Sequence, residues 1–263
     1  MPVSPPERRL AAERLRDAVR NRTPCEPIRT MLPEADIDDA YEIQQLFVAT
    51  SQAFSGRPVG RKIGLTSPAV QQQMGVDQPD FGVLTADMAY GDSQPIPMTR
   101  LLQPRVEAEV AFVLGSDLDA DTVTVADVMR ATDFVVAAIE VVDSRIHGWD
   151  IAIVDTVADN ASSGLFVLGG APRRLHDVDL RSIVMRMSMD DDTLCTGTGA
   201  ACLGHPVNAV VWLANEVGRR GAPLRAGEVV LSGSLGPLVP VQAGCTYTAE
   251  FDGLGSVRAA FTA

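Results

Sequence analysis

Histidine is scarce in this chain. Three occur among 263 residues, His147, His176 and His205, and no two stand at an H-x-x-x-H spacing, which argues against a zinc site of the usual kind. The four cysteines, Cys25, Cys195, Cys202 and Cys245, form no C-x-x-C pair. The N-terminus is charged (Glu7, Arg8, Arg9) where an export signal needs an apolar stretch. Free thiols in a reducing cytoplasm are therefore expected. No apolar run approaches the roughly 20 residues that cross a bilayer. Basic residues are outnumbered 22 to 34, a net charge of −12, which weighs against nucleic acid and anionic membranes as partners. There is no internal repeat and no low-complexity linker. The length suits one large domain or a domain with an appendage.

What is present begins with helix-forming sequence. Pro6 to Asn21 places Leu10, Ala11, Leu15 and Val19 at helical spacing, and Asp36 can cap a second helix running to about Phe54. From Val59 the texture changes to short apolar runs broken by glycine and proline: Phe134–Val142, Gly164–Leu168, Ile183–Met189, Glu228–Leu231, Thr246–Phe251 and Ser256–Phe261. Two helices interrupt these runs, one capped by Thr124 and one opened by Pro206 and stopped by Gly221. The pattern predicts an α+β fold, a small helical N-terminal part ahead of a mixed-sheet body.

Within that body, Arg105–Leu114 reads as a strand that carries two carboxylates, Glu107 and Glu109, on one face. Two like charges about 6–7 Å apart on a face that then turns apolar repel and lose hydration, and a hard divalent cation is the simplest remedy. Glu140 is the only charge in Phe134–Val142. A buried carboxylate there needs either an arginine, with Arg105 and Arg145 as candidates, or a place as third metal ligand. Three carboxylates need a cation more than two do. Lys62, between Gly60 and Gly64, is either a snorkelling surface charge or, near a metal, a base with a lowered pKa that could move protons or hold an enolate. Gly75–Gly82 has loop composition, and its Asp77 and Asp80 become acid–base candidates if it covers the site. Asp155–Gly164 reads as a polar turn. The Gly233–Pro237 turn could offer backbone N–H groups to a substrate carboxylate, and Gly197-Thr198-Gly199 lacks the helix and lysine of a phosphate loop.

Longer blocks carry more. Gly60–Leu84 (GRKIGLTSPAVQQQMGVDQPDFGVL), Leu101–Leu114 (LLQPRVEAEVAFVL), Ala138–Ile146 (AIEVVDSRI), Ile153–Gly164 (IVDTVADNASSG) and Cys202–Ala214 (CLGHPVNAVVWLA) together resemble the 2-hydroxypenta-2,4-dienoate hydratases (2-keto-4-pentenoate hydratases) of the fumarylacetoacetate hydrolase superfamily. The resemblance implies a helical N-terminal region, residues 1–58, and a mixed β-roll catalytic domain, residues 59–263. It implies a Mg²⁺ or Mn²⁺ site at Glu107, Glu109 and Glu140, with Lys62, Asp80, Ser162 and Asp77 as the catalytic set. It further implies a cytoplasmic, ring-shaped homo-oligomer, a pentamer or decamer, acting on a small 2-oxo acid in meta-cleavage degradation of aromatic compounds. A pathway decarboxylase or aldolase is a candidate partner.

Two alternatives stand beside the hydratase. A 4-oxalocrotonate decarboxylase would use the same metal trio and lysine but needs an extra cation for a second substrate carboxylate, with Arg61 and Arg145 as candidates. A non-catalytic partner of such a decarboxylase would be expected to have lost an acid ligand, and none is lost. The superfamily's carbon–carbon hydrolases use a His–Glu pair in the N-terminal region, whereas the first histidine here is His147.

Overall fold

The helical opening follows its capping chemistry. In the computed structural model, which describes residues 3–67, 71, 78–190 and 192–263, α1 (Pro5–Asn21) starts where Ser4 donates its N–H and hydroxyl to Glu7. A single turn, α2 (Ile28–Met31), follows. In α3 (Ile37–Thr50), Asp39 N–H donates to Asp36 at 2.9 Å while Asp36 N–H donates back to Asp39 at 3.3 Å. This helix stops short of the expected Phe54, because Ser51 caps a separate 3₁₀ turn over Gln52–Phe54. Thr124 and Asp127 cap α4 (Val125–Ala131) reciprocally. His205 Nδ1 accepts from Val207 N–H at the start of α6 (Pro206–Arg219). Among the described residues no helix is long and apolar enough to cross a membrane. All four cysteines are free thiols.

Two mixed sheets form the body. The larger runs β2 (Asp80–Thr85), β1 (Pro58–Gly64), β10 (Val229–Leu231), β5 (Pro104–Leu114), β6 (Thr132–Asp143), β7 (Ser163–Leu168) and β3 (Ala89–Gly91), with β11 (Val239–Pro240) added beside β5. The smaller runs β4 (Pro95–Ile96), β13 (Gly255–Phe261), β12 (Thr246–Phe251), β8 (Val184–Met189) and β9 (Asp192–Thr198). Three pairs are parallel, β1 with β10, β3 with β7 and β4 with β13. The apolar runs expected as strands are strands, with ends shifted by a residue or two. The α+β expectation holds.

Strands β5 and β6 lie at the centre of the larger sheet and are buried on both faces, the second sheet packing β12 and β13 against β6. Val110, Phe112, Ile139 and Val141 are fully excluded from water. Polar side chains on these two strands therefore lie in a low-dielectric interior. The helical opening is tied into the body at buried points. Gln44 of α3 donates to the carbonyls of Phe81 and Val157 at 2.9 Å each, and Arg29 N–H donates to Asp155 at 2.9 Å.

Two elements differ from expectation. The stretch expected as a polar turn at Asp155–Gly164 contains a short buried helix, α5 (Ile153–Ala158), whose first turn is fixed by Asp155 accepting from Ala152 N–H and from Arg29. Strand β9 was hidden because it is a sheet edge, mostly exposed and built from Thr, Gly and Asp rather than alternating apolar residues.

Candidate metal centre and its proton-carrying groups

Antiparallel register sets the centre. Glu107 on β5 stands directly opposite Glu140 on β6, and Glu109 stands opposite Ala138. Like charges directly opposite repel. Burial makes that worse: Glu107 is 6% exposed and Glu109 and Glu140 are 0% exposed. One oxygen from each of the three carboxylates lies within 4.8 Å of the others. Burial raises all three pKa values, Glu140 to about 8 and Glu109 well above the ordinary range, where the neighbouring carboxylates add to the effect.

Their hydrogen bonding is incomplete. Gly233 N–H donates to Glu109 Oε2 at 2.7 Å, but Glu109 Oε1 and both oxygens of Glu140 are buried without a hydrogen-bond partner among the described residues. Orphaned buried acceptors are costly, at about 1–3 kcal/mol each and more for charged groups. Three convergent hard oxygen donors with spare lone pairs fit a divalent cation.

Lys62 is brought in by β1. Its Cα pairs with Leu231 of β10, which pairs with Ala111 of β5, so Lys62 shares the face of Glu109 and Glu107. Nζ lies 3.4 Å from Glu140 Oε1 and donates to the Ala161 carbonyl at 3.1 Å. Lys62 is 2% exposed, so it is not a snorkelling surface charge. The lowered pKa expected of it applies beside a bound cation; among the protein's own groups the balance runs the other way. Burial pushes the pKa down, yet Glu140, Asp80, Glu107 and Glu109 together push it up further.

Asp80 is the first residue of β2 rather than part of a loop, and it pairs with Gly64. A Cβ at position 64 would lie 2.2 Å from Asp80 Oδ1 and 3.2 Å from Lys62 Nζ, so glycine there lets the two groups share one space. Asp80 is buried and its pKa raised by that burial, with Lys62 opposing. Asp77 lies outside the described residues. Ser162 is buried at the end of Asn160-Ala161-Ser162, three consecutive residues with φ of 55°, 50° and 51°. Each non-glycine residue in that region costs of order 1–2 kcal/mol, so the surroundings must impose it.

Arg145 is what imposes it. Its guanidinium donates to the carbonyls on either side of the strained stretch, Asp159 and Ser163, and to Asp159 Oδ1 at 2.5 Å. Asn160 adds a two-way bond to the backbone of Val83, accepting at 2.8 Å and donating at 3.0 Å. The turn aims the Ala161 carbonyl at Lys62. Arg145 is therefore neither the partner of Glu140 nor a free cation. Arg105 stacks on Trp149 at 4.4 Å, and Arg61, one residue from Lys62 and so on the opposite face, lies 3.7 Å from Glu228.

The family model for the fumarylacetoacetate (FAA) hydrolase C-terminal region matches residues 59–262. The chain belongs to the fumarylacetoacetate hydrolase family. Among its relatives in that family, a 2-keto-4-pentenoate hydratase of Paraburkholderia phymatum is 57% identical over 95% of this chain and 96% of that protein. The TodF product hydratase of Pseudomonas putida is 53% identical over 96% and 94%. Among solved structures, the 4-oxalocrotonate decarboxylase from Pseudomonas putida G7, complexed with magnesium and adipate, superposes with a TM-score of 0.93 at 34% identity, covering 98% of both chains.

In this member of the fumarylacetoacetate hydrolase family the structure thus brings together Glu107, Glu109, Glu140, Lys62, Asp80 and Ser162. Sequence reasoning missed that Lys62 is the only lysine among 22 basic residues, a signal open to simple counting. It also missed Thr156, described below. In the Gly233–Pro237 turn, expected to offer backbone N–H groups to a substrate carboxylate, the Gly233 N–H is taken by Glu109.

Gly197, discounted as a phosphate loop, has another reason to be glycine. A Cβ there would lie 1.7 Å from the Leu235 carbonyl, so β9 presses on the turn that supplies Gly233 N–H. Gly197→Ala is expected to displace that turn and weaken Mn²⁺ binding about 10–100-fold by calorimetric titration, since groups that orient a ligand carry effects of this size.

Proposed function

We propose that this chain is a metal-dependent 2-oxopent-4-enoate hydratase, adding water to 2-hydroxypenta-2,4-dienoate to give 4-hydroxy-2-oxopentanoate. The observation that carries the reading is the buried trio Glu107, Glu109 and Glu140 with Lys62 and Asp80 against it. The near-full-length likeness to 2-keto-4-pentenoate hydratases supports it. The three glutamates would hold Mg²⁺ or Mn²⁺, which supplies Lewis-acid polarisation and a template for a 2-oxo acid. Lys62, as an ammonium, stabilises negative charge developing on the 2-oxygen while the dienol takes a proton at C5. Asp80 and Ser162 move the protons of ketonisation and of water addition at C4 in this reading. The buried strands exclude bulk water from competing with these transfers.

The decarboxylase alternative calls for a cation to meet a second carboxylate. Its two candidates are committed elsewhere, Arg145 to Asp159 and backbone carbonyls and Arg61 to Glu228 on the other face. That favours the hydratase. With this reading go a catalytic body over residues 59–263, a homo-oligomeric ring and a cytoplasmic location.

The test is direct. The protein is incubated with 2-hydroxypenta-2,4-dienoate and Mg²⁺ or Mn²⁺, and loss of dienol absorbance is followed alongside formation of 4-hydroxy-2-oxopentanoate. Turnover that disappears with chelator and returns with the ion is expected. Release of CO₂ from 2-oxohex-3-enedioate, with no hydration of the dienoate, would replace the reading with the decarboxylase.

A further inference from the structure

Thr156 lies on α5, is 5% exposed, and belongs to none of the groups named so far. Its hydroxyl sits between two that do. Thr156 Oγ1 donates to Asp80 Oδ2 at 3.3 Å and lies 3.5 Å from Ser162 Oγ. With its proton on Oδ1, Asp80 offers Oδ2 as an acceptor, so the threonine proton points to Asp80 and its lone pairs are left for Ser162. In that state the chain runs from Ser162 to Thr156 to Asp80. The other oxygen, Asp80 Oδ1, faces Gly64 and Lys62 and has no hydrogen-bond partner among the described residues. The two oxygens of Asp80 thus have different tasks open to them, one tied to the hydroxyl chain and one turned to the site.

We propose that Thr156 is a positioning residue that relays a proton from Ser162 to Asp80 during water addition. This rests on the hydratase reading above. In the step, water bonds through oxygen to C4 of the 2-oxo-3-ene, and the C3=C4 electron pair shifts so that the 2-oxygen becomes an enolate. The proton lost by water passes to Ser162 Oγ, the Ser162 proton to Thr156 Oγ1, and the Thr156 proton to Asp80 Oδ2. Asp80 Oδ1 releases its own proton to C3 as the enolate returns to the ketone. One proton enters Asp80 and one leaves it, each hydroxyl again carries one proton, and no electrons are exchanged with any other reagent. Asp80 thus begins and ends as the neutral acid with its proton moved from Oδ1 to Oδ2, and return of that proton to Oδ1 with rotation of the two hydroxyls resets the enzyme for the next turnover.

Thr156→Val keeps the shape and removes the hydroxyl. It is expected to lower kcat for dienoate hydration about 100-fold, with KM within about twofold, because the lost group acts on proton transfer and not on binding. Mn²⁺ affinity by calorimetry and the melting temperature should stay near wild type. Thr156→Ser, which restores a hydroxyl, should recover kcat to within about threefold. If one relay joins the residues, Ser162→Ala and the double variant with Thr156→Val should be about equally slow, since groups acting as a unit are non-additive. Thr156→Ala stands in if the valine variant does not fold. Wild-type kcat in the valine or alanine variant, failure of serine to rescue, or multiplicative losses in the double variant would overturn the relay. A wild-type enzyme that leaves the dienoate unchanged would overturn both the relay and the hydratase reading.

Discussion

Glu107→Gln is expected to fold, to bind no divalent cation, and to lose at least about 10³-fold in metal-dependent turnover. The loss corresponds to the several kcal/mol that a bound cation contributes to transition-state charge, at about 1.4 kcal/mol per tenfold. Glutamine keeps the volume of the side chain opposite Glu140, so packing between β5 and β6 is preserved. The sign of the stability change is distinctive. Removing one of three mutually repelling buried carboxylates should raise the melting temperature of the metal-free protein, while abolishing the further rise that Mn²⁺ gives the wild type. Melting curves with and without Mn²⁺ read both effects. Full turnover in this variant would remove Glu107 from the ligand set.

Lys62→Met is expected to separate binding from catalysis. Turnover should fall by about 10²–10⁴-fold, the usual range for losing a proton-carrying or charge-stabilising group. Metal affinity should move the other way. The ammonium lies 3.4 Å from Glu140 Oε1 and competes with any incoming cation. Removing that like charge should tighten Mn²⁺ binding roughly tenfold. Glu140, raised by burial and deprived of its cation, takes up a proton that competes with the metal, so the gain in affinity should grow as pH rises. Calorimetry on the variant checks the opposite signs. Parallel losses in affinity and turnover would mean that Lys62 holds the site's shape rather than its charge.

Much of this was legible in sequence where one physical cue dominated. Asp36 and Thr124 cap helices because their side chains meet orphan N–H groups. The apolar run around Glu140 is a central strand because nothing else buries so many branched residues. The glutamate trio followed from the same logic, since buried carboxylates demand a counter-charge. What was hidden depended on distant contacts. The Asn160–Ser162 turn is held by Arg145 and the backbone of β2, neither of which local propensity can see. Arg145 looked available because sequence counts charges without their partners. Lys62 was expected to hold its proton less tightly beside a metal, but four acids on three strands draw the proton to it. Thr156 was overlooked because a threonine in a polar stretch carries no mark of what it faces.

A buried amine that is also the chain's only lysine has a practical consequence. Isotope supplied through lysine alone would yield one side-chain resonance from the whole protein, with no assignment problem. That signal arises at Nζ, between Glu140 and the Ala161 carbonyl. Cation loading, substrate arrival and displacement of the strained turn would each be recorded by the same nucleus, in the unmodified enzyme, without a reporter group being introduced.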